Sequence, residues 1–186
     1  MASLFVLTGP SGAGKSTIAK AIFSQPELNI QKFITCTTRA PRPGEVHGKD
    51  YWFLTKEEFE QKLAHKGFFE SAEVYGNYYG SSVEEMERVL AGIKPILVIL
   101  DVQGAKTVKG LYPQTTLIFI DSPKSVLLHR LEERGTNAAD LERRSAQIDT
   151  EEAFRTQADI VIENRDGQIE ETTQKVIQTI QNPTAV

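Results

Sequence analysis

The chain reads Gly-Pro-Ser-Gly-Ala-Gly-Lys-Ser-Thr at residues 9–17, which fits the pattern G-x-x-x-x-G-K-[ST]. An apolar run at residues 4–8 comes directly before this stretch, and a helix-like segment begins at Ser16. Glycines let such a loop bend so that successive backbone N–H groups point at one anion, and the helix adds the positive end of its dipole. The pattern predicts a phosphate-binding loop, in which Lys15 reaches the outer phosphates of a nucleoside triphosphate and Ser16 ligates Mg²⁺. The alternative is a glycine-rich turn that binds no ligand.

Beyond this loop, short apolar runs alternate with helix-like segments, which is typical of an α/β fold with a parallel sheet between layers of helices. The apolar runs span residues 4–8, 33–37, 96–100, 116–120 and 159–162. The helix-like segments span residues 16–24, 56–65, 82–91, 103–110, 123–134, 140–153 and 167–181. Between the second run and residue 91, aromatic-rich segments are separated by turn residues. This change predicts a small mixed or antiparallel sheet inserted into the core.

Length and composition narrow the class of protein. A chain of 186 residues can bury a full core as one domain, and its net charge of −4 argues against binding to nucleic acid or to an anionic membrane. The single cysteine, Cys36, excludes an internal disulfide and fits a reducing cytosol. No apolar stretch approaches the ~20 residues that cross a bilayer. We therefore expect a cytoplasmic protein, and both a monomer and a homo-oligomer are compatible with the sequence.

A second group of charged residues lies in the proline-rich stretch that follows residue 37. Arg39 and Arg42 are three residues apart, and polyproline II has about three residues per turn, so both guanidinium groups can project from one side. Two guanidinium groups suit a phosphate, and the hydroxyls of Tyr51 and Tyr79 can complete its binding site. The alternative is a pair of solvated arginines in a turn.

Asp101 follows the apolar run at residues 96–100, at the edge where parallel sheets place ligands. A carboxylate there can hold Mg²⁺ through water or orient an acceptor phosphate. It can equally cap the helix that begins near Gln103, and the two roles are compatible.

Four arginines cluster late in the chain, at Arg130, Arg134, Arg143 and Arg144. Arg130 and Arg134 are spaced i,i+4 and so share a helix face, which permits joint action on one charge. The alternative is a solvated helix whose arginines pair with Glu132, Glu133 and Glu142, an arrangement that stabilises little.

Several segments together resemble guanylate kinases. They are T-T-R-x-P-R-x-G-E-x-x-G-x-D-Y at residues 37–51, Phe69-Glu70, Gly-Asn-Tyr-Tyr-Gly-Ser at 76–81, and Arg-Leu-Glu-Glu-Arg-Gly-Thr at 130–136. The resemblance runs from about residue 4 to about residue 165 in the same order. That family transfers the γ-phosphoryl group of ATP to GMP, giving ADP and GDP, with Mg²⁺. The resemblance implies this activity here, in purine nucleotide metabolism, with dGMP as a further acceptor.

The resemblance implies an acceptor site made of Thr35, Arg39, Arg42, Glu45, Tyr51, Glu70, Tyr79, Ser81 and Asp101. Arg39, Arg42 and the two tyrosines hold the phosphate of GMP, while Glu70, Ser81 and Thr35 read guanine. A carboxylate can accept from guanine N1–H and the N2 amine while a hydroxyl donates to O6, and adenine reverses this edge. The alternative for Glu70 is an ordinary exposed acid on a strand.

The resemblance also implies an ATP site made of Gly9, Pro10, Ser11, Gly12, Ala13, Gly14, Lys15, Ser16, Thr17 and Asn164, with Asn164 near the adenine. Turn chemistry is the alternative reading of Asn164. The groups that offset negative charge during in-line transfer are Lys15, Arg39, Arg42, Arg130, Arg134 and Arg144. Mg²⁺ is held by Ser16 and, through water, by Asp101. The chain is then one domain with a core at residues 1–32, 92–129 and 145–186, an acceptor-binding insert at about 33–91, and a lid at about 130–144.

The chain departs from the family pattern at three places. Ile99 stands where many members carry an acid, and Thr35 stands where a serine is usual. The lid is one residue shorter, so either Arg143 or Arg144 faces the phosphates. Two alternative functions are a non-catalytic guanylate-kinase-like module that binds phosphopeptides and a related small-molecule kinase. The intact loop argues against the first, and Glu70 with residues 76–81 argues against the second.

Overall fold

The computed structural model describes residues 2–74, 76–133 and 138–182, with the backbone alone for residues 138–140. It shows the expected α/β fold. The strands are β1 (Leu4–Thr8), β2 (Gln31–Lys32), β3 (Cys36–Thr37), β4 (Trp52–Phe53), β5 (Phe68–Val74), β6 (Asn77–Ser82), β7 (Ile96–Ile99), β8 (Thr116–Asp121) and β9 (Ile160–Glu163). The helices are α1 (Lys15–Phe23), α2 (Lys56–Ala64), α3 (Val83–Leu90), α4 (Val102–Leu111), α5 (Lys124–Glu133), α6 (Ala138–Ala153) and α7 (Ile169–Gln181).

The main sheet has five parallel strands in the order β2-β7-β1-β8-β9. Every residue of β1 is buried, because strands flank it on both sides and helices cover both faces. Side chains alternate along the strand: Phe5 and Leu7 pack with α1 and α7, whereas Leu4 and Val6 pack with α3 and α4. The core therefore has three layers, and the carboxyl ends of β1 and β7 lie side by side.

The prediction that residues 33–37 form a strand of the parallel sheet is wrong. The main sheet instead contains β2, whose Gln31 pairs with Ile96, and Phe33 N–H donates the last hydrogen bond to β7, at Leu97 O. The chain then crosses to a second sheet, where Cys36 and Thr37 form β3. The apolar run spans this crossing, and an apolar pattern alone does not mark where a chain changes sheets.

The second sheet is mixed, with the order β4-β3-β6-β5. Strand β3 is parallel to β4, while β6 is antiparallel to both β3 and β5. A register shift leaves Phe69 as an extra residue in β5, so that Glu70 lies opposite Ser81 on β6. Such bulges redirect the side chains that follow them. The bulge thus sets a carboxyl group and a hydroxyl group next to each other on the sheet.

Each predicted helical segment contains a helix, and the ends that fall in described residues agree with the prediction to within two residues. Within the described part of the chain, no helix combines the length and the apolar character needed to cross a membrane.

Candidate active site

A cleft opens between the phosphate-binding loop (residues 9–17) and the second sheet, beyond the carboxyl ends of β1 and β7. It encloses ≈ 1200 Å³ of empty space, counting its open mouth. Lys15 from the loop and both Arg39 and Arg42 from the insert line it. The two anion-binding groups expected from the sequence therefore share one cavity.

The phosphate-binding loop has the bent backbone that its glycines permit. Gly9 has a φ of 131°, and a Cβ atom there would collide with the backbone carbonyl oxygen of Ile120 on β8. Helix α1 begins at Lys15 with Gly14 at its N-cap, so its first N–H groups face the loop. The Lys15 ammonium donates to the carbonyl oxygens of Gly9 and Pro10, at 2.5 and 2.8 Å. A cation and a helix N-terminus therefore converge on the same space.

Arg39 is held in place on the opposite side of the cleft. Its guanidinium donates to both carboxylate oxygens of Glu45, at 3.0 and 2.9 Å, and lies over the ring of Tyr51, 5.5 Å from the ring centroid. Glu45 also accepts from the Arg42 backbone N–H at 2.8 Å. Glu45 itself does not line the cleft. Through these contacts it fixes the loop that carries the two arginines.

Glu70 lies in the wall of the cleft with only 9% of its surface exposed. Burial raises the pKa of its carboxyl group to about 7, and the charge of Asp101 adds to this, while the Ser81 hydroxyl opposes it. Ser81 Oγ is buried and meets no hydrogen-bond partner of good geometry among the described residues. Glu70 thus offers a carboxyl group to the cleft, and the Ser81 hydroxyl lies buried beside it on β6, outside the cleft lining. Thr35 and Tyr79 line the same part of the cleft.

Asp101 lines the cleft and caps a helix, so its capping role is confirmed. Its Oδ1 accepts from the Gly104 N–H at 2.8 Å, at the start of α4. Ile99, at the position where the family pattern often has an acid, also lines the cleft. Asp101, which follows β7 and caps α4, therefore supplies a carboxylate to the cleft.

Three of the late arginines, Arg130, Arg143 and Arg144, lie at different positions relative to the cleft. Arg144 on α6 lines the cleft, and its Nη1 donates to Ser11 Oγ in the loop at 2.8 Å. Arg143 is exposed and does not line it. Arg130 on α5 reaches the Gly12 carbonyl oxygen and Asp166, each at 3.4 Å, and stays outside the cleft lining. Arg134 lies outside the described residues. Of the pair left open by the sequence, Arg144 is the one that faces the loop.

The structure therefore brings together most of the expected site. The expected residues that line the cleft are Gly9, Ser11, Gly12, Gly14, Lys15, Ser16, Thr35, Arg39, Arg42, Tyr51, Glu70, Tyr79, Asp101 and Arg144. Those that do not are Pro10, Ala13, Thr17, Glu45, Ser81, Arg130 and Asn164.

Comparison with known proteins identifies the family. The guanylate kinase family model matches residues 1–183. The chain belongs to the guanylate kinase family. It is 42% identical over 163 residues to the guanylate kinase of Bacillus subtilis, covering 87% of this chain and 80% of that protein. It is 40% identical over 167 residues to the guanylate kinase of Salmonella paratyphi A, covering 88% and 81%.

A solved guanylate kinase has the same fold. The crystal structure of the enzyme from Anaplasma phagocytophilum superposes with a TM-score of 0.77 at 28% sequence identity, covering 100% of this chain and 87% of that one.

Sequence reasoning missed a charged cleft residue of this guanylate kinase family member. Glu151 on α6 lines the cleft and accepts from the Ser11 backbone N–H at 3.2 Å. Burial raises the pKa of Glu151, against the lowering effect of Lys15. Its spacing from Arg144 is about two helical turns, which places both on one face of α6. That spacing was the available signal, and both side chains contact Ser11: Glu151 accepts from its backbone N–H and Arg144 donates to its Oγ.

Asn164, which the resemblance assigns to the neighbourhood of adenine, does not line the cleft in this structure. It is fully buried beneath the loop, where its Nδ2 donates to the Ala13 carbonyl oxygen at 2.8 Å and its Oδ1 accepts from Thr172 at 3.2 Å. A Cβ atom on Gly14 would lie only 2.6 Å from this Nδ2 atom. In this structure Asn164 supports the loop from behind.

Proposed function

We propose that the chain transfers the γ-phosphoryl group of ATP to GMP, giving ADP and GDP, and to dGMP, giving ADP and dGDP. The observation that carries the proposal is that Lys15, Arg39 and Glu70 open into one cleft. Guanylate kinases at about 40% identity over most of the chain support the same activity.

The acceptor phosphate is held by Arg39 and Arg42 with the hydroxyls of Tyr51 and Tyr79. Guanidinium groups bind phosphate through paired hydrogen bonds, and Arg39 is already oriented by Glu45. Glu45 thus acts on GMP through Arg39. The phosphate then lies at the end of the cleft nearest the second sheet.

The guanine base is read by Glu70 and Ser81, with Thr35 beside them. An ionised Glu70 accepts from N1–H and from the N2 amine, and Ser81 Oγ, opposite Glu70 on β6, donates to O6. Adenine would set an N6 amine opposite the hydroxyl and leave the carboxylate without donors. Sites that depend on such hydrogen bonds discriminate by about 10⁴ or more.

The donor triphosphate is bound by the loop, residues 9–17, and by arginines of the lid. Lys15 and Arg144 line the cleft beside the loop, and Arg130 and Arg134 would approach as the lid closes. The transferred group passes through a loose transition state, so catalysis depends on positioning and on neutralising charge. The attacking oxygen of GMP is already ionised, so no side chain needs to act as a base.

The residues present fit Mg²⁺ held largely by substrate phosphates. Ser16 is exposed to the cleft at the start of α1, Asp101 lines its other side, and no group of three His, Cys, Asp or Glu side chains suited to a metal occurs among the described residues. Mg²⁺ binds typically through one or two protein oxygens plus phosphates and waters. Ser16 would hold the ion and Asp101 would hold it through water, and the ion would neutralise phosphate charge.

We further propose that the chain is one cytoplasmic domain, with a core at residues 1–32, 92–129 and 145–186, an insert at about 33–91 and a lid at about 130–144. The phosphopeptide-binding alternative is not favoured, since the loop, Lys15 and the guanine-facing acid are all retained.

A coupled assay for ADP formation tests the proposal. ATP would be supplied with GMP, AMP, CMP or UMP in turn, and we expect turnover with GMP alone. Turnover with AMP at a similar rate would contradict guanine recognition, and no turnover with any acceptor would contradict the activity.

A further inference from the structure

Helix α4 passes against the carboxylate of Glu70 at Gly104. A Cβ atom on Gly104 would lie 2.7 Å from Glu70 Oε2 and 3.1 Å from its Cδ. Contacts between carbon and oxygen this short are not tolerated in packed proteins, so a side chain at this position would have to displace the carboxylate. The Glu70 carboxylate can therefore occupy its position because residue 104 has no side chain.

We propose that Gly104 is a positioning residue for guanine recognition, because its missing side chain leaves the space in which the Glu70 carboxylate lies. The inference rests on the proposed role of Glu70 in reading guanine. It adds a residue of the core helix to a specificity site otherwise built on the second sheet.

The need for glycine at this position is not explained by backbone conformation or by capping. Gly104 is inside α4 and is absent from the residues with positive φ, so an alanine would be the better helix former there. Its backbone N–H donates to the capping side chain of Asp101, and an alanine would keep that N–H. Alanine would instead change steric contacts: its Cβ would lie 2.7 Å from Glu70 Oε2 and 3.3 Å from Leu100 Cβ, and the contact with Glu70 is the closer of the two.

The carboxylate, rather than the helix, should move when a methyl group is added. Glu70 Oε2 is at the end of a flexible side chain, whereas α4 is fixed by the buried residues Ala105 and Val108. A displaced carboxylate no longer meets guanine N1–H and N2 at hydrogen-bond distance, and a misplacement of about 1 Å can cost about 10²-fold in activity. The proposed ATP site is the phosphate-binding loop rather than this wall of the cleft, so KM for ATP should be unaffected.

The same helix supplies a matched control. Gly110 also belongs to α4, and a Cβ there would meet no atom within 4 Å from the described residues outside its own stretch of helix. Gly110→Ala makes the same chemical change with the same gain in helix propensity, away from Glu70.

The experiment measures KM and kcat for GMP and for ATP in Gly104→Ala, Gly110→Ala and Glu70→Gln, together with thermal unfolding. We expect Gly104→Ala to raise KM for GMP by about 10- to 100-fold with KM for ATP unchanged, while Gly110→Ala keeps both values. A normal KM for GMP in Gly104→Ala, with Glu70→Gln impaired, would overturn the role of Gly104 and leave that of Glu70 intact. A normal KM for GMP in Glu70→Gln would overturn both. Equal losses for both nucleotides in Gly104→Ala would mean general damage and would also overturn it.

A double variant addresses folding and mechanism. Glu70→Asp withdraws the carboxylate by one methylene from the added methyl group. We expect Gly104→Ala to cost less GMP binding in this background than alone, since the two changes act on one contact. If Gly104→Ala fails to fold, the double variant should fold. Effects that simply multiply, or a double variant that also fails to fold, would overturn the inference.

Discussion

The phosphate-binding loop and the guanine-facing part of the second sheet lie across one cleft but are built in different ways. The loop uses consecutive residues, backbone N–H groups and one lysine at a helix N-terminus. The opposite side gathers side chains from β5, β6 and the start of α4, and it buries a carboxyl group whose pKa is raised to about 7. Substitutions in the phosphate-binding loop should therefore affect the transfer step. Substitutions in the guanine-facing part of the second sheet should affect which base is accepted.

Replacing Lys15 should have the largest effect of the substitutions considered, and this effect should be on kcat. Lys15→Met removes the cation at the start of α1, and we expect kcat to fall by about 10²- to 10³-fold, the loss typical of one charge-stabilising group. KM for GMP should change little, as measured by steady-state kinetics. A variant with near-normal kcat would show that the loop does not neutralise charge during transfer.

Glu70→Gln should separate the two sides of the cleft. The amide cannot accept from both guanine donors, and we expect kcat/KM for GMP to fall by an amount equivalent to about 1–3 kcal/mol. ATP affinity should stay nearly unchanged, because Glu70 lies on the opposite side of the cleft from the loop. An equal loss for both nucleotides would remove the distinction between the two sides.

Arg144→Ala should lower kcat by about tenfold, because a guanidinium beside the loop offsets phosphoryl charge. Its neighbour provides the control: Arg143 is exposed and does not line the cleft, so Arg143→Ala should retain wild-type kcat. Equal kcat values for the two variants would contradict the assignment of Arg144 to the donor side.

The smallest effect expected is a pH dependence confined to the guanine side. Glu70 must be ionised to accept two hydrogen bonds, so KM for GMP should rise as pH falls below about 7, while KM for ATP should not follow this profile. Stability should change in the opposite sense. The raised pKa means that the folded enzyme binds more protons than the unfolded chain between about pH 4.5 and 7, so stability falls as pH rises through that range. Glu70→Gln should remove this contribution from pH-dependent unfolding and flatten the KM profile.

The same contrast explains what the sequence could predict. The loop was identified because its chemistry lies in nine consecutive residues after a strand, and the three-layer core followed from apolar runs and helix periodicity. Glu70 and Ser81 were assigned by resemblance, whereas their pairing depends on a bulge at Phe69 that no local pattern indicates.

Other contacts depend on distant parts of the chain. The Gly104–Glu70 contact joins residues on a helix and a strand far apart in sequence, and the support that Asn164 gives to Ala13 spans most of the chain. Composition and periodicity do not encode such distances. The strand predicted at residues 33–37 was wrong for a related reason, since the run crosses between sheets.

The most direct test of the account is a structure of the protein with GMP and a non-hydrolysable ATP analogue bound together. We expect the γ-phosphorus to lie about 3–3.5 Å from a GMP phosphate oxygen, with Lys15 on the donor side and Arg39 on the acceptor side. Phosphates bound in unconnected regions, with no common cleft in a closed form, would contradict direct transfer.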